Sequence, residues 1–451
     1  MVALRSARLE SLLGSSIEQV EYSQLMTLIS NQVPEAFDLD YKSEMYGSSD
    51  KDKRDAATDV AALANTSGGL LIIGIDEDDQ ARAETAPGVI LSDADERRIR
   101  QIVGSQVVPM PLIDFLRAED PGQPGHGLVL IAVPRSPLAP HAVLVNEGLR
   151  YPRRNGATTR YLSEPEVAEA YRQRFTSAHR VIDRATEIEA EALERLATTD
   201  DQVWIVVSLV PELAGEMIID HSALRKAKAE LFGKQPLILP TSLAWMRINI
   251  GRRRILADGT SDSGRRARYL SADLYDDGSG VFSSHVLQRS AQPTGPNTGE
   301  PVARMVNDES VVNGILSGLR FLARHAQDRA AAGGNSIIRA QIFPVGSQQP
   351  LMLGQNRMGF TDILGTRVMM DTRPSERVAP LDGLASGGRE LVSATYLLAT
   401  DVFQEFGCAE AAQLTRDGDV RSPYWGQGWV PYLAEWASEA GVEATGDTLP
   451  G

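Results

Sequence analysis

Four residues between positions 35 and 76 have the types and spacing needed for phosphodiester chemistry: Glu35, Asp40, Lys42 and Asp76. Carboxylate oxygens are the ligands that Mg²⁺ and Mn²⁺ favour, and a lysine can orient a water or offset charge on a phosphate oxygen. Clustered carboxylates are stable in one site mainly when a cation neutralises their repulsion. We therefore predict a site in which Glu35, Asp40 and Asp76 hold Mg²⁺ or Mn²⁺ and Lys42 lies at the phosphate.

The segment Phe37–Lys42 positions two of these residues. Its apolar and polar residues alternate strictly, which predicts a half-buried strand with Phe37, Leu39 and Tyr41 towards a core. Asp40 and Lys42 then share the opposite face, about 7 Å apart along the strand. The alternative is an ordinary solvated strand face, which is common for a short charged segment.

The next elements predicted are a helix over residues 53–65 and a buried strand over residues 70–75. Ala57, Val60, Ala61 and Ala64 recur at helical spacing, and Gly68-Gly69 is interpreted as the stop of the helix. The continuous apolar run that follows is typical of a strand buried on both faces, which would give Asp76 a rigid support. The alternative for Asp76 is a turn aspartate within the acidic run 76–79.

Together these residues resemble the AlbA-like core domain of the Schlafen family. The resemblance rests on Glu35, on Asp40-Tyr41-Lys42 after four intervening residues, and on the run from Ala64 to Asp76 with its Asn-Thr-x-Gly-Gly core. A later element, residues 150–159, is similar to the closing hairpin of the family, in which an arginine, a glycine and a threonine recur at fixed spacing. The resemblance spans residues from about 20 to about 175, where Arg154, Gly156 and Thr159 fill the hairpin positions.

The resemblance implies nucleic-acid binding and, as in nuclease members, metal-dependent endoribonuclease action on structured RNA such as tRNA, with Glu35, Asp40 and Asp76 as the catalytic set. The family usually has glutamate at the position of Asp40, but aspartate remains a competent oxygen ligand. The sequence has no cysteine and histidine set for a structural zinc. It also lacks the G-x-x-x-x-G-K-[ST] loop of an ATP site.

Two groups of arginines provide candidate contacts to a phosphate backbone. The first lies on the predicted hairpin, where Asn155-Gly156 is a strong turn signal, and consists of Arg150, Arg153, Arg154 and Arg160. The alternative for this group is a strand edge protected by charge. The second group flanks a predicted loop at 258–264, for which the solvated interpretation is favoured, and consists of Arg252, Arg253, Arg254, Arg265, Arg266 and Arg268.

Composition sets the broad class of protein. The 451 residues suffice for two or three domains, and the net charge of −15 argues against a protein that coats nucleic acid by bulk electrostatics. Cys408 is the single cysteine, which excludes an intramolecular disulfide framework. No apolar run approaches the length of a membrane span and no signal-peptide core is present, so a cytoplasmic location without membrane association is expected.

The predicted fold is α+β, an AlbA-like core domain followed by a second α+β domain. The expected organisation is a helical segment at 1–32, the core domain at 33–176, a helical connector at 177–199 and the second domain at 200–451. In the core domain, a helix opens at the capping box of Ser163 and ends near Phe175. The connector is a separate helix, a loop or linker lies at 289–301, and the end of the chain from Trp436 is expected to be frayed.

Three functional hypotheses follow. The first is a metal-dependent endoribonuclease acting on structured RNA, with growth arrest or defence as its biological role. The second is a non-catalytic regulator that binds RNA or DNA with the same fold, in which Asp40 in place of glutamate marks lost activity. The third is an assembly or effector protein whose second domain binds another protein or a small molecule, with the core domain mainly a homodimerisation platform and no affinity for nucleic acid.

Overall fold

The computed structural model describes residues 4, 6–146, 148–198, 202–261, 269–286, 303–346, 349–357, 360–366, 369 and 373–448. The chain divides into two compact units, Met1–His179 and Arg180–Gly451. Within the described ranges, no helix is both long enough and apolar enough to cross a membrane.

Unit 1 contains helices on both faces of a small sheet. Its helices are α1 Ala7–Leu13, α2 Tyr22–Ser30, α3 Asp50–Ala64, α4 Asp93–Gln106 and the first part of α5 Glu164–Leu196, with a 3-10 turn at Ile17–Gln19. Its strands are β1 Leu39–Lys42, β2 Gly68–Ile73, β3 Asp76–Glu77, β4 Ala83–Thr85, β5 Val89–Ile90, β6 Val107–Val108, β7 Asp114–Glu119, β8 His126–Pro134, β9 Ala142–Val145, β10 Gly148–Arg150, β11 Pro152–Asn155 and β12 Thr158–Tyr161.

The central sheet of unit 1 has the order β1-β2-β8-β5, and β7 also pairs with β8. Only β1 and β2 run parallel; the other pairs are antiparallel. β2 is buried on both faces, as its apolar run predicts: Leu71 and Ile73 pack with α3 and α4, whereas Leu70 and Ile72 pack with α1 and α2. β1 therefore has a rigid neighbour, and Asp40 lies beside Leu71.

Three local predictions in unit 1 differ from the structure. Phe37 lies before β1 with 42% of its surface exposed, and the guanidinium of Arg8 lies over its ring. The helix predicted to end near Phe175 continues without a break as α5, because no glycine or proline interrupts residues 166–196. The two-residue loop of the β11–β12 hairpin is Gly156-Ala157, since Asn155 still pairs with Thr158.

Unit 2 is built on a larger sheet. Its helices, after the second part of α5, are α6 His221–Leu231, α7 Asp308–Arg324, α8 Leu381–Ser386, α9 Arg389–Glu405 and α10 Val430–Ala440, with a π-helical turn at His325–Arg329 and a 3-10 turn at Ser422–Tyr424. Its strands are β13 Gln202–Leu213, β14 Leu243–Gly251, β15 Arg254–Ser261, β16 Leu270–Tyr275, β17 Gly280–His285, β18 Arg304–Asn307, β19 Gly333–Val345, β20 Leu351–Arg357, β21 Phe360–Ile363, β22 Ser375–Pro380, β23 Val420–Arg421 and β24 Ala444–Thr445.

Seven antiparallel strands of unit 2 form one sheet in the order β14-β15-β16-β17-β13-β19-β22. α7 packs on one face of this sheet, and the Ala185, Ile188 and Ala192 side of α5 packs on the other. The arrangement confirms the predicted α+β class.

The end of the chain differs from the prediction of a frayed segment. Trp436 and Val442 are buried against the core of unit 2, and β24 pairs with β23. Apolar burial thus orders a segment whose charges alone suggested a solvated end. Arg265, Arg266, Arg268 and the predicted loop at 289–301 lie outside the described residues.

Candidate active site

Asp40 and Lys42 are the centre of the candidate site. Leu39 and Tyr41 face the core beneath α1 and α2, so Asp40 and Lys42 face the α3 side of the sheet, as the alternation predicts. The Nζ of Lys42 donates to Oδ2 of Asp40 at 2.8 Å and lies 3.7 Å from Oδ2 of Asp59 on α3. Asp40 is only 2% exposed, so this face is packed against α3 and is not an ordinary solvated one.

Arg154 of β11 reaches the same carboxylates from the hairpin. Its Nη1 donates to Oδ1 of Asp40 at 2.9 Å, and its Nη2 lies 3.4 Å from Oε2 of Glu35 and donates to the carbonyl of Ala36 at 3.1 Å. The other carboxylate oxygen of Glu35, Oε1, accepts from the backbone N–H of Tyr41 at 2.8 Å. The two carboxylates and the arginine are therefore buried together, and Lys42, whose side chain is 33% exposed, joins them at Asp40.

The Asn65-Thr66 pair at the end of α3 holds the hairpin in position. The amide of Asn65 donates to the carbonyls of His141 and Pro152, both at 2.8 Å, and its oxygen accepts from the N–H of His141. The hydroxyl of Thr66 accepts from the backbone N–H of Arg154 at 3.0 Å. These bonds fix the backbone of β11, which directs the guanidinium of Arg154 towards Glu35 and Asp40.

Gly68 and Gly69 have a role different from the predicted helix stop. α3 already ends at its C-cap, Asn65. Gly69 has φ of +157°, and a Cβ there would lie 2.3 Å from the carbonyl oxygen of Asp38; a Cβ on Gly68 would lie 2.6 Å from that of Val133. The glycines therefore let β2 approach the chain on both sides, which brings β1 into register with β2.

The ionisation of the two central carboxyl groups is asymmetric. Burial, a hydrogen bond with Asp40 and the charge of Asp40 raise the pKa of Glu35 to about 8. Burial alone would also raise the pKa of Asp40, but the hydrogen bond with Glu35 and the charges of Lys42 and Arg154 outweigh it and lower that pKa. These opposite pKa shifts indicate that Glu35 is the member of the pair that keeps its proton near neutral pH, beside ionised Asp40.

Asp76 is placed differently from the other predicted ligands. It lies exposed in β3, where its Oδ1 accepts from the backbone N–H of Glu77 at 3.2 Å. The charge of its neighbour Glu77 contributes to the raised pKa of Glu35. Across the described part of the chain, no three histidine, cysteine, aspartate or glutamate side chains form a group that could hold a metal ion.

Two acidic residues near the site were missed by sequence reasoning. Glu77 was overlooked in favour of Asp76, because an acidic run gives no indication of which member's charge acts on Glu35; both residues are exposed in β3. Asp59 lies on the predicted helix, and burial raises its pKa even though Lys42 is close and the hydroxyl of Tyr46 donates to it at 2.6 Å. The sequence did contain a signal for Asp59: it is an acidic residue next to Val60 in a helix whose small residues indicate close packing.

A divalent cation fits the chemistry of Glu35 and Asp40. Mg²⁺ is commonly held by one or two carboxylates together with phosphate oxygens of a substrate, so a cage of three protein ligands is not required. In the structure Lys42 and Arg154 already compensate the charge of this pair, so a divalent ion would take carboxylate oxygens that now accept from these two side chains. Both carboxylates supply hard oxygen donors, which suit Mg²⁺ or Mn²⁺.

The four hairpin-region arginines divide into two kinds. Arg154 is buried, and Arg160 forms a two-pronged ion pair with Glu166 at 2.6 and 3.0 Å. Arg150 and Arg153 are exposed, and neither has an acidic partner among the residues described. Only the second kind has its guanidinium free for a phosphate.

Comparison with known proteins identifies the family of this region. Residues 35–163 match the family model described as Schlafen, AlbA_2. No curated protein matches the chain.

Two solved structures are similar to this chain, each at 20% identity. The DIP2311 protein from Corynebacterium diphtheriae gives a TM-score of 0.24 over 38% of this chain and 29% of that one. The N-terminal domain of a putative ATP-dependent DNA helicase RecG-related protein from Nitrosomonas europaea gives 0.22 over 31% of this chain and 93% of that one. The chain thus spans less than a third of the DIP2311 protein. On the family match, the segment from residue 35 to residue 163 is a Schlafen AlbA_2 domain, as its residue pattern predicts.

Proposed function

We propose that this domain is a metal-dependent endoribonuclease that acts on structured RNA such as tRNA. The observation that carries the proposal is the geometry of Glu35 and Asp40, which share the guanidinium of Arg154, with Lys42 donating to Asp40 at 2.8 Å. Carboxylates and a lysine in that arrangement suit phosphodiester cleavage. The carboxylates can hold a metal ion, and the lysine can offset negative charge on the scissile phosphate. In a cell, such an activity would arrest growth or act in defence.

The residues have separate parts in this proposal. Glu35 and Asp40 would hold Mg²⁺ or Mn²⁺, with Asp76 or Glu77 as the acidic residue on the facing segment. When bound, the ion would polarise the phosphate and offset its charge. Lys42 supplies an ammonium beside Asp40, and Arg154 holds the two carboxylates in place through contacts at 2.9 and 3.4 Å. Exposed Arg150 and Arg153 would bind the RNA backbone.

The test is cleavage of total tRNA by the purified full chain with Mg²⁺ or Mn²⁺, followed on denaturing gels. Wild type should give discrete fragments that disappear with chelator and with Asp40→Asn. Asp76→Asn and Glu77→Gln compare the two acidic candidates, and Glu84→Gln, an exposed carboxylate in β4, is the matched control. Fragments that persist in Asp40→Asn would reject the site, because they would arise elsewhere or from a contaminant.

A second candidate function is nucleic-acid binding without cleavage. One observation favours it: every oxygen of Glu35 and Asp40 already lies near a donor from Lys42, Arg154 or the Tyr41 backbone. In this alternative Arg154 replaces the metal cation permanently, and the domain is a regulator on RNA or DNA. Intact RNA in the cleavage assay, together with a salt-sensitive gel shift, would support it.

We also infer a homodimer, on the evidence of an apolar sheet face in unit 1. Paired strands place Val108, Leu144 and Leu149 on one face of β6, β9 and β10, with 60%, 50% and 54% of their surfaces exposed. An apolar face of this kind is typical of an interaction surface. Sedimentation of Leu144→Asp should give a monomer where wild type gives a dimer; a monomeric wild type would reject the inference.

A further inference from the structure

The outer edge of the unit 2 sheet has unused hydrogen-bonding capacity. β14 pairs with β15 on one side only. On the other side, Trp245 exchanges backbone bonds with Gly233 and Lys234. Between Met246 and Ile250, no described residue bonds to the backbone on that side. A free strand edge can pair with an additional strand.

A groove runs between this edge and helix α6. It has a volume of about 660 Å³ and is lined by Lys228, Phe232, Met246, Arg247, Ile248 and Asn249. Phe232 is 57% exposed and Met246 is 41% exposed, so both walls present apolar surface to solvent. A groove between a helix and an open strand edge accepts an extended peptide, whose backbone continues the sheet while its side chains enter the groove.

The two charged side chains that line the groove, Lys228 and Arg247, are both cations. Six exposed cations lie on α6, on the turn after it and on β14 and its following turn: Arg225, Lys226, Lys228, Lys234, Arg247 and Arg252. None of the six forms an ion pair with another residue in the described ranges. Only Lys228 and Arg247 line the groove itself, and the other four lie on or next to the elements that border it. In a chain with a net charge of −15, unpaired cations in and beside one groove favour an acidic ligand.

An alternative explanation for the cations is that they protect the free edge of β14 from aggregation, for which Arg247 alone would suffice. Protection does not account for the exposed Phe232 and Met246 beside it, since apolar groups make an edge more prone to association. A nucleic acid would use the cations but not the alternating backbone donors and acceptors of β14. We therefore propose that the groove between α6 and β14 binds an extended acidic peptide segment of a partner protein as an eighth strand of the sheet.

The proposal concerns unit 2 and does not depend on nuclease activity in unit 1. It is tested by selecting a random octapeptide display library against the full chain. Enriched peptides should contain aspartate or glutamate among β-forming residues and lack proline at central positions, because proline cannot donate to the ladder. An enriched peptide is then labelled and its affinity is measured by fluorescence anisotropy.

Arg247→Glu should weaken the enriched peptide by about tenfold or more, as expected for a residue at the centre of an interface. Phe232→Ser should also weaken it, whereas Lys51→Glu, the same charge change on α3 in unit 1, should leave its affinity within about twofold. Thermal unfolding of each variant verifies that it is folded.

Three outcomes would overturn the proposal. The first is no enrichment, and the second is enrichment of peptides without acidic residues. The third is displacement of the peptide by a single-stranded oligonucleotide that binds more tightly than the peptide and loses its affinity in Arg247→Glu. That result would assign the groove to nucleic acid.

Discussion

Two chemically similar carboxyl groups at the centre of the site have pKa values shifted in opposite directions, up for Glu35 and down for Asp40. Asp40 has both cations within contact distance, so it stays ionised, whereas Glu35 has only the edge of Arg154 at 3.4 Å and takes the proton. The difference therefore arises from where Lys42 and Arg154 lie, not from the residue types. A neutral Glu35 beside an ionised Asp40 makes the site sensitive to pH.

Replacement of Glu35 by glutamine should flatten the pH dependence of stability. The pKa of Glu35 is 4.5 when unperturbed and about 8 in the fold, so between these values the folded state binds a proton that the unfolded state releases. The stabilisation that this proton gives the folded state is complete below pH 4.5 and is lost as pH rises through about 8. Urea unfolding of wild type should show a falling free energy of unfolding from about pH 5 to about pH 8, and Glu35→Gln should remove most of that fall. Parallel curves for the two proteins would contradict the assignment.

Removal of Arg154 should be costly because it leaves the buried, ionised Asp40 with Lys42 as its one remaining cation in contact and removes a donor from the carbonyl of Ala36. Arg154→Leu is expected to lower the free energy of unfolding by about 3–5 kcal/mol. Arg153→Leu, the exposed neighbour on the same strand, should change it by less than about 0.5 kcal/mol. A double-mutant cycle with Asp40→Asn should recover part of the loss, since the second change removes the charge that Arg154 neutralises. Additive effects would show that the two residues do not interact.

Three neighbouring elements together position the candidate site: the β11–β12 hairpin, the end of α3 and the start of β2. Thr66 fixes the backbone of Arg154, and Gly69 lets the chain at Asp38 pass close to β2. The Asn-Thr-x-Gly-Gly run is therefore a structural support for Glu35 and Asp40. It need not contact a substrate to matter for activity.

Gly69→Ala should destabilise the domain severely. The added Cβ would lie 2.3 Å from the carbonyl oxygen of Asp38, where only backbone could give way, so a loss above about 4 kcal/mol is expected. Gly156→Ala is the matched comparison: it also has a positive φ, +63°, but open space around its Cβ, so its cost should be about 1–2 kcal/mol. Guanidinium unfolding measures both, and equal losses would mean that backbone conformation alone explains Gly69.

Local pattern was sufficient to predict elements, but not which distant residues meet. Alternation placed Asp40 and Lys42 on one face of β1, and small residues predicted α3. The arginine that contacts Asp40 is 114 residues away, and only the family resemblance, not the local residue pattern, separated buried Arg154 from exposed Arg153. That distinction arises from strand pairing and from the bonds of Asn65, which are long-range. The buried C-terminal segment was mispredicted for the same reason, since its apolar contacts belong to other elements.

At the scale of the whole molecule, negative charge should confine RNA to a few positions. A net charge of −15 repels a polyanion in general, so binding requires local groups of unpaired cations. In unit 1 the exposed Arg150 and Arg153 satisfy this condition near the candidate site, whereas the charge of Arg160 is neutralised by Glu166.

The salt dependence of RNA binding should therefore report these two arginines. Each phosphate contact contributes about 0.7 to the slope of log K against log salt for a single strand, so Arg153→Ala and Arg150→Ala should each reduce the slope by about that amount. Arg117→Ala, which removes an arginine already paired with Asp93 and Glu96, should leave the slope unchanged. Filter binding over a range of salt concentrations measures the three slopes. If Arg117→Ala lowered the slope as much as Arg153→Ala, ion pairing would not decide which arginines bind RNA. The interface would then have to be sought on another face of the domain.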